Sequence, residues 1–421
     1  MATNDEHAAF WRQLPDHEFF GPRVQHVYFY ASVQDESVKK LREEVLAACR
    51  SERNAEGTWV DPKPIVIHVN SSGGSMRSEQ WLFSLFNQVN VPLCVIVDGM
   101  SASASTSLSV MAPYRVGTAH SLSLLHDYSA ANPMATREAR LVELQSIERL
   151  RAMYKRLYLT RTRITEPQLE SMLRRDIFLD APTCLRMGVY DRVVRPDRSA
   201  SVERYAASAT FLPDAHNLLA KTNWNRVFAT CAAEFPQSFD AILASDEQVK
   251  PILYVTPGGA ECADPNMSLA MIARILSSPV PVFGIVDNEV TWWQLLPVLF
   301  CHRRFMYENA SLNSSMVYDG VWGSRIKDIV HNAGVMRALI TDAVRARAKP
   351  TPKLLADLFD RTMSLSAQEC KANGLVDAVI LLSAAAPSAA SPATPSSPAT
   401  PSSPAPSPAA RRRVARKKAA R

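Results

Sequence analysis

Short apolar runs alternate with amphipathic stretches over most of the chain. In the first half the runs VQHVYFYA (24–31), PIVIHV (64–69), PLCVIV (92–97) and SLSLLH (121–126) have strand length and are bounded by polar or turn residues, which predicts buried or half-buried strands. Between and after them, residues 36–49, 76–90, 102–111 and 135–160 carry apolar positions at helical spacing. Asp180 stands where an N-cap would for a helix over 181–187, and Gly188 stands where that helix would stop. Alternation of strand and helix predicts an α/β fold with a largely parallel sheet covered by helices.

The pattern then occurs a second time. KPIVIHVNSSGG (63–74) is echoed by KPILYVTPGG (250–259), VPLCVIVDGMSASAS (91–105) by VPVFGIVDNEVTWWQ (280–294), and FLDAPTCLRMGVYDRVV (178–194) by MSLSAQECKANGLVDAVI (363–380). Three echoes in the same order predict two copies of one domain, since the period is far too long for a solenoid repeat. The expected division is an N-terminal extension (1–22), a first domain (23–197), a second domain (198–382) and a tail (383–421).

The tail changes how the charge is read. It is built of Ala, Ser, Thr and Pro, repeats SPATPS at 391–396 and 397–402, and ends in Arg411, Arg412, Arg413, Arg416, Lys417, Lys418 and Arg421. Such a segment buries too little apolar surface to offset its ordering entropy and is expected to be disordered. The chain carries +6 overall, so without those seven charges the remainder is close to neutral. Basic substrates are therefore not implied. The tip reads either as a solvated, solubilising tail or as a nuclear-import or nucleic-acid contact. Seven dispersed cysteines with no C-x-x-C pair indicate neither a zinc knuckle nor a disulfide framework. With no secretory signal pattern and no apolar run long enough to span a bilayer, a cytoplasmic protein is expected, or a nuclear one if the tip is a targeting signal.

Three segments could carry chemistry. At Val97-Asp98-Gly99-Met100-Ser101-Ala102-Ser103-Ala104 an apolar strand gives way to a helix of small residues. A serine there sits at a helix N-terminus, where unpaired N–H groups favour developing negative charge. Close helix packing explains the same small residues, and Ser101, Ser103 and Ser105 are locally indistinguishable. Asn70-Ser71-Ser72-Gly73-Gly74 follows a strand and lets the backbone approach a ligand, or simply turns the chain. His126 ends a strand and His120 competes with it. Asp127 points to the opposite face from its neighbour, so an orienting acid has to come from elsewhere. Asp176 in Arg174-Arg175-Asp176 is available, unless it serves as a surface ion pair.

Taken together, NSSGG (70–74), GMSASA (99–104), LLHDY (124–128), RDIFLDA (175–181) and GVYD (188–191) resemble the Clp protease proteolytic subunit family of serine peptidases. That family shows N-S-P-G-G, G-x-A-A-S-M, I-H-Q-P, R-D-x-F and G-x-x-D in this order, and the resemblance runs over about residues 24–195. It implies a ClpP/crotonase-like spiral of β-β-α units, here in two tandem copies. Position by position it assigns Ser103 as nucleophile, His126 as general base and Asp176 as the acid that orients the imidazole. Gly74 and Ala104 match the backbone donors of the oxyanion hole, with Gly73 and Tyr128 along the substrate path. It implies polypeptide substrates, self-association into rings and an AAA+ unfoldase ATPase as partner. No metal or organic cofactor is required, no membrane is involved, and the chain carries no P-loop pattern.

This chain departs from the family at Ser72, at Asp127-Tyr128, and in 129–136, where the family's glycine-rich segment is replaced. In the second copy the match to Ser103 is Trp292 and the match to Gly99 is Asn288. The histidine position falls on Ser315 or Met316 and the acid position on Thr362, while Gly258 and Gly259 remain. The second copy is therefore expected to be non-catalytic. Three other readings compete with the peptidase: a structural or regulatory subunit, a tandem signal-peptide-peptidase relative, and crotonase-type acyl-CoA chemistry.

Overall fold

A computed structural model describes residues 4–53, 55–127, 137–195, 225–228, 252–256, 265–313, 323, 325–358 and 363–381. Strand β1 (Gln25–Phe29), a small hairpin β2 (Glu52–Arg53) and β3 (Trp59–Val60), and strands β4 (Ile65–Ser71), β5 (Leu93–Ala102), β6 (Tyr114–Thr118), β7 (Leu122–Leu125), β8 (Ile177–Asp180) and β9 (Arg192–Val194) make up the first half. Its main sheet runs β1-β4-β5-β6-β9, all parallel. Strand β7 leaves that plane by pairing with the last residues of β5, Met100–Ala102, and antiparallel with β8. All seven residues of β4 and all ten of β5 are buried, as expected of strands covered on both faces.

Helices α2 (Asp35–Ala48), α3 (Met76–Gln88), α4 (Ala104–Met111), α5 (Arg137–Arg161), α6 (Glu166–Leu173) and α7 (Ala181–Met187) cover this sheet. The caps of α7 fall where the sequence places them: the Asp180 carboxylate accepts from Thr183 N, and Gly188 closes the helix at φ 71°. Helix α4 starts two residues later than its composition predicts. The difference arises because β7 supplies hydrogen-bond partners that carry β5 on through Ala102.

The extension at 1–22 is also more than an appendage. Helix α1 (Asn4–Gln13) buries Trp11 completely, stacked on Phe19 at 5.5 Å, against Val66, Ile96 and Val116 of the sheet. Beneath it a buried polar chain links Tyr30 Oη to Asp98 (2.5 Å), Asp98 to His68 Nδ1 (2.9 Å) and His68 Nε2 to His26 Nδ1 (3.0 Å). Burial above all, with the charge of Arg274 adding to it, pushes His26 down to about 2, so its ring stays neutral in this chain of bonds.

The second half contains β10 (Asn225–Phe228), β11 (Ile252–Val255), α8 (Pro265–Ser277), β12 (Val282–Val286), β13 (Val290–Thr291), α9 (Trp292–Phe300), β14 (Arg303–Tyr307), β15 (Ser311–Asn313), α10 (Ile326–Arg347), α11 (Pro352–Asp357), β16 (Ser364–Ser366), α12 (Ala367–Ala372) and β17 (Ala378–Ile380). Its sheet runs β10-β11-β12-β14-β17, all parallel, and β15 pairs parallel with β13 and antiparallel with β16. Strand for strand this is the order of the first half, with the long β5 represented by β12 and β13. Side chains agree as well. The backbone N–H and guanidinium of Arg115 grip the Asp191 carboxylate, and those of Arg304 grip Asp377 in the same way.

The two halves share one core. Met100, Leu122, Leu124 and Phe178 from the first half join Trp292, Leu295 and Ile340 from the second, and α8 lies across β4 and β5 while α10 lies against β8. Residues 1–381 form one compact unit. The tail from 383 onward lies outside the described residues. Among the described residues, no helix is long and apolar enough to cross a membrane.

Candidate active site

Each sequence-predicted side chain stands at the end of a separate element. Ser103 lies between β5 and α4, the one non-glycine among the described residues with positive φ (56°, ψ −126°). Its amide donates to Leu124 O at 2.9 Å, and the Thr106 hydroxyl bridges Ser101 O and Leu124 O at 2.6 and 2.8 Å. These bonds hold the sharp strand-to-helix turn against the end of β7. His126 is the first residue past β7, and Asp176 is the last before β8. Because β7 and β8 are antiparallel neighbours, His126 and Asp176 lie side by side just beyond the pair Leu125 and Ile177.

The structure brings these three into contact. His126 Nδ1 is 2.8 Å from Asp176 Oδ1, and His126 Nε2 is 2.7 Å from Ser103 Oγ. With Nδ1–H donating to the carboxylate, Nε2 is left to accept from the Ser103 hydroxyl. His126 and Asp176 are 30% and 24% exposed, so the chain of bonds opens onto solvent at one side and can meet a ligand. The neighbouring serines face elsewhere. Ser101 Oγ is 2.9 Å from Ser109 Oγ, and Ser105 Oγ donates to Ser71 O and Ala102 O, all buried. Asp127 pairs with Arg151 at 3.1 Å. His120 packs edge-on to Phe300 along a different cavity of about 870 Å³ between the halves. Burial first, then the charges of Arg195 and Arg347, hold His120 down to about 4.

The glycine pair completes one wall. Val33 donates to Gly73 O at 2.8 Å and accepts from Ser75 N at 2.7 Å, so the 73–75 segment pairs with Val33 as a short parallel strand. In that pairing the N–H and C=O of Gly74 project from the opposite edge. Gly73 is at φ 90°, and a Cβ on it would lie 2.7 Å from Ser103 Cβ and 3.1 Å from Ala104 N. Only glycine fits so close to the serine. Ala104 is the first residue of α4, and the first amides of a helix have no intrahelical partner and carry its positive end. Tyr128 lies outside the described residues.

A cleft of about 710 Å³ opens over these groups. Its walls include Leu124 and Leu173 beside Ser103, His126 and Asp176, with Arg174 on one flank. Gly323 and Arg325, from the second half, line it too. These two residues were not singled out in the sequence, because nothing local in 323–325 points to a site more than 140 residues earlier in the chain. In the second half, Trp292 occupies the first turn of α9 and is fully buried beside Trp293. Asn288 lies in the turn before β13. Ser315, Met316, Thr362, Gly258 and Gly259 lie outside the described residues. Among the described residues no cluster of three His, Cys, Asp or Glu side chains is placed to hold a metal ion.

Residues 25–197 match the Clp protease family and carry a domain of that family. Among curated proteins, the chain is similar to the ATP-dependent Clp protease proteolytic subunit 1 of Chlamydia pneumoniae, at 27% identity over 138 residues, which is 32% of this chain and 72% of the relative. It is also similar to the ATP-dependent Clp protease proteolytic subunit of Mesostigma viride, at 29% identity over 136 residues, covering 32% of this chain and 59% of that protein. Among solved structures, a ClpP1 mutant from Listeria monocytogenes overlaps 40% of this chain and 90% of its own, with a TM-score of 0.34 and 18% identity.

Proposed function

We propose that this chain is a serine endopeptidase of the Clp type whose active site lies in the N-terminal half. The observation that carries the reading is the unbroken path from Ser103 Oγ through the His126 ring to the Asp176 carboxylate, with both contacts under 3 Å. Ser103 attacks the scissile carbonyl while His126 Nε2 takes its proton, and Asp176 holds the ring in the tautomer that can do so. The amides of Gly74 and Ala104 face the oxyanion of the tetrahedral intermediate. His126 returns the proton to the leaving amine, and water releases the acyl group by the same route.

We read the C-terminal half as a second copy of the domain that has lost this chemistry. The recurrent strand order and the paired Arg–Asp grips support the common origin. A buried tryptophan at the position of the nucleophile supports the loss. Ring assembly and a separate AAA+ unfoldase belong to the same proposal, since the sequence has no P-loop pattern of its own.

Labelling with a fluorophosphonate probe tests the assignment. Wild type is expected to label on Ser103, Ser103→Ala not at all, and Asp176→Asn about 10⁴-fold more slowly. Labelling that persists in Ser103→Ala would assign the wrong serine. A wild-type chain that never labels would leave a non-catalytic subunit as the reading.

A further inference from the structure

Helix α10 has its polarity inverted at its N-terminal end. Ile326 and Val330 are 82% and 65% exposed, while Asp328 and Asn332, one turn apart on the other face, are fully buried. Farther along the same face the buried residues return to the apolar type with Met336, Ile340 and Val344. Buried polar side chains are costly unless they are satisfied, so the inversion requires a polar surface opposite.

That surface is the outer edge of the Asp176 segment. Among the described residues strand β8 pairs with β7 alone, and its other edge would leave N–H and C=O groups unsatisfied without further partners. Asn332 accepts from Phe178 N at 2.8 Å and donates to Asp176 O at 2.7 Å, as an adjoining strand would. Asp328 accepts from Arg175 Nε at 2.9 Å and reaches Asp176 N at 3.4 Å. His331 Nε2 lies 3.3 Å from Phe178 O. Both backbone polar groups of Asp176 are therefore held by one helix of the other half, and only its carboxylate is left to meet His126.

We propose that α10 is the positioning element of the Ser103–His126–Asp176 site: Asn332 and Asp328 clamp residues 175–178, so that the C-terminal half completes the N-terminal site within the same chain. This rests on the reading of Ser103 as nucleophile. Asp328 and Asn332 touch neither substrate nor reacting atoms, and they act only through Asp176. The clamp gives a half without its own nucleophile a specific task, and it makes the peptidase dependent on correct docking of the two halves. A displaced Asp176 carboxylate would leave the His126 ring less well oriented toward Ser103.

The test compares Asn332→Ala and Asp328→Asn with the conservative Asn332→Asp, which keeps the acceptor for Phe178 N, and with Ile340→Ala, which loosens the same helix away from the clamp. Three quantities are read on the full chain: the rate of fluorophosphonate labelling, deuterium exchange of the 176–178 amides, and the melting temperature. Asn332→Ala is expected to lower the maximal labelling rate by about 10- to 100-fold. It should also speed exchange at Phe178, while Asn332→Asp falls between it and wild type in both readouts. Ile340→Ala should lower the melting temperature while leaving labelling and exchange at Phe178 near their wild-type rates. Wild-type labelling kinetics in both clamp variants, with exchange at 176–178 accelerated, would overturn the proposal, because the grip would then be lost without consequence for the site. Unchanged exchange would overturn it as well, by showing that there is no grip. Absence of Ser103 labelling in the wild type would instead overturn the functional reading, and with it the role of the clamp.

Discussion

At Ser103 the backbone is held at a positive φ of 56°, a conformation a side-chain-bearing residue adopts only where its surroundings impose it. The imposing contacts are the Leu124 carbonyl, the Thr106 hydroxyl and the Gly73 backbone. Gly73 is the most restrictive of them: a Cβ there would lie 2.4 Å from Ala102 O, a backbone atom that cannot step aside cheaply. Gly73→Ala should therefore displace the turn that carries the serine. We expect labelling to fall by about 10²-fold and stability in urea to fall by about 1–3 kcal/mol. A Gly73→Ala chain with wild-type labelling would show that the loop and the serine are not coupled. The same contacts explain why local sequence left three serines equivalent. Ser101, Ser103 and Ser105 differ in what they face, and those partners, Ser109, His126 and Ser71, come from other segments.

Among the elements, α3 carries an acid that its position does not advertise. Glu79 sits in the first turn, where a carboxylate ordinarily faces water and the helix dipole, yet it is fully buried and accepts from Tyr154 Oη of α5 at 2.7 Å. Burial, only partly offset by hydrogen bonds from Ser107 and Tyr154, raises it from 4.5 to about 8. A raised carboxyl is protonated in the folded chain and ionised in the unfolded one between those two values. Its stabilising contribution is thus complete below pH 4.5 and is lost as pH rises toward 8. Glu79→Gln should remove that dependence and raise stability at pH 7 by on the order of 3 kcal/mol. Urea unfolding at pH 5, 7 and 8 reads it. An equal pH slope in the variant would mean that Glu79 is ionised in place. Helices with purely local determinants were legible: α7 announces both its ends through Asp180 and Gly188. Helix α1 was not, because its justification is a tryptophan filling a sheet face contributed by residues far along the chain.

For the molecule as a whole, the shared core decides whether the N-terminal half can stand alone. Met100, Leu122, Leu124 and Phe178 are buried against residues of the C-terminal half, each contributing about 1.5–3 kcal/mol through its burial. A chain ending at Arg195 would expose them together with the free edge of β8. We expect it to aggregate or to label far more slowly than the full chain, as read by sedimentation and fluorophosphonate labelling. A monodisperse fragment labelling at the full-chain rate would show that the halves are independent. The recurring order of strands was legible, since echoes of strand and turn survive in plain sequence. The contact between the two halves was not, because Asn332 and Phe178 meet across 154 positions.

The amino-acid sequence by itself determined the features written in local chemistry: strand and helix periods, caps, the glycine pair, the basic tail, and an ordered set of motifs that picked out Ser103, His126 and Asp176. These need only neighbours within a turn or a strand, so they survive in linear form. The tertiary structure alone decided that Ser101 and Ser105 turn to buried partners, that Glu79 is buried, that Gly323 and Arg325 line the cleft over Ser103, and that Asp328 and Asn332 meet residues 175–178. Those outcomes depend on which backbone edge is left open and which side chain closes it. That is settled only when two distant surfaces are pressed together and every buried polar group has to find a partner.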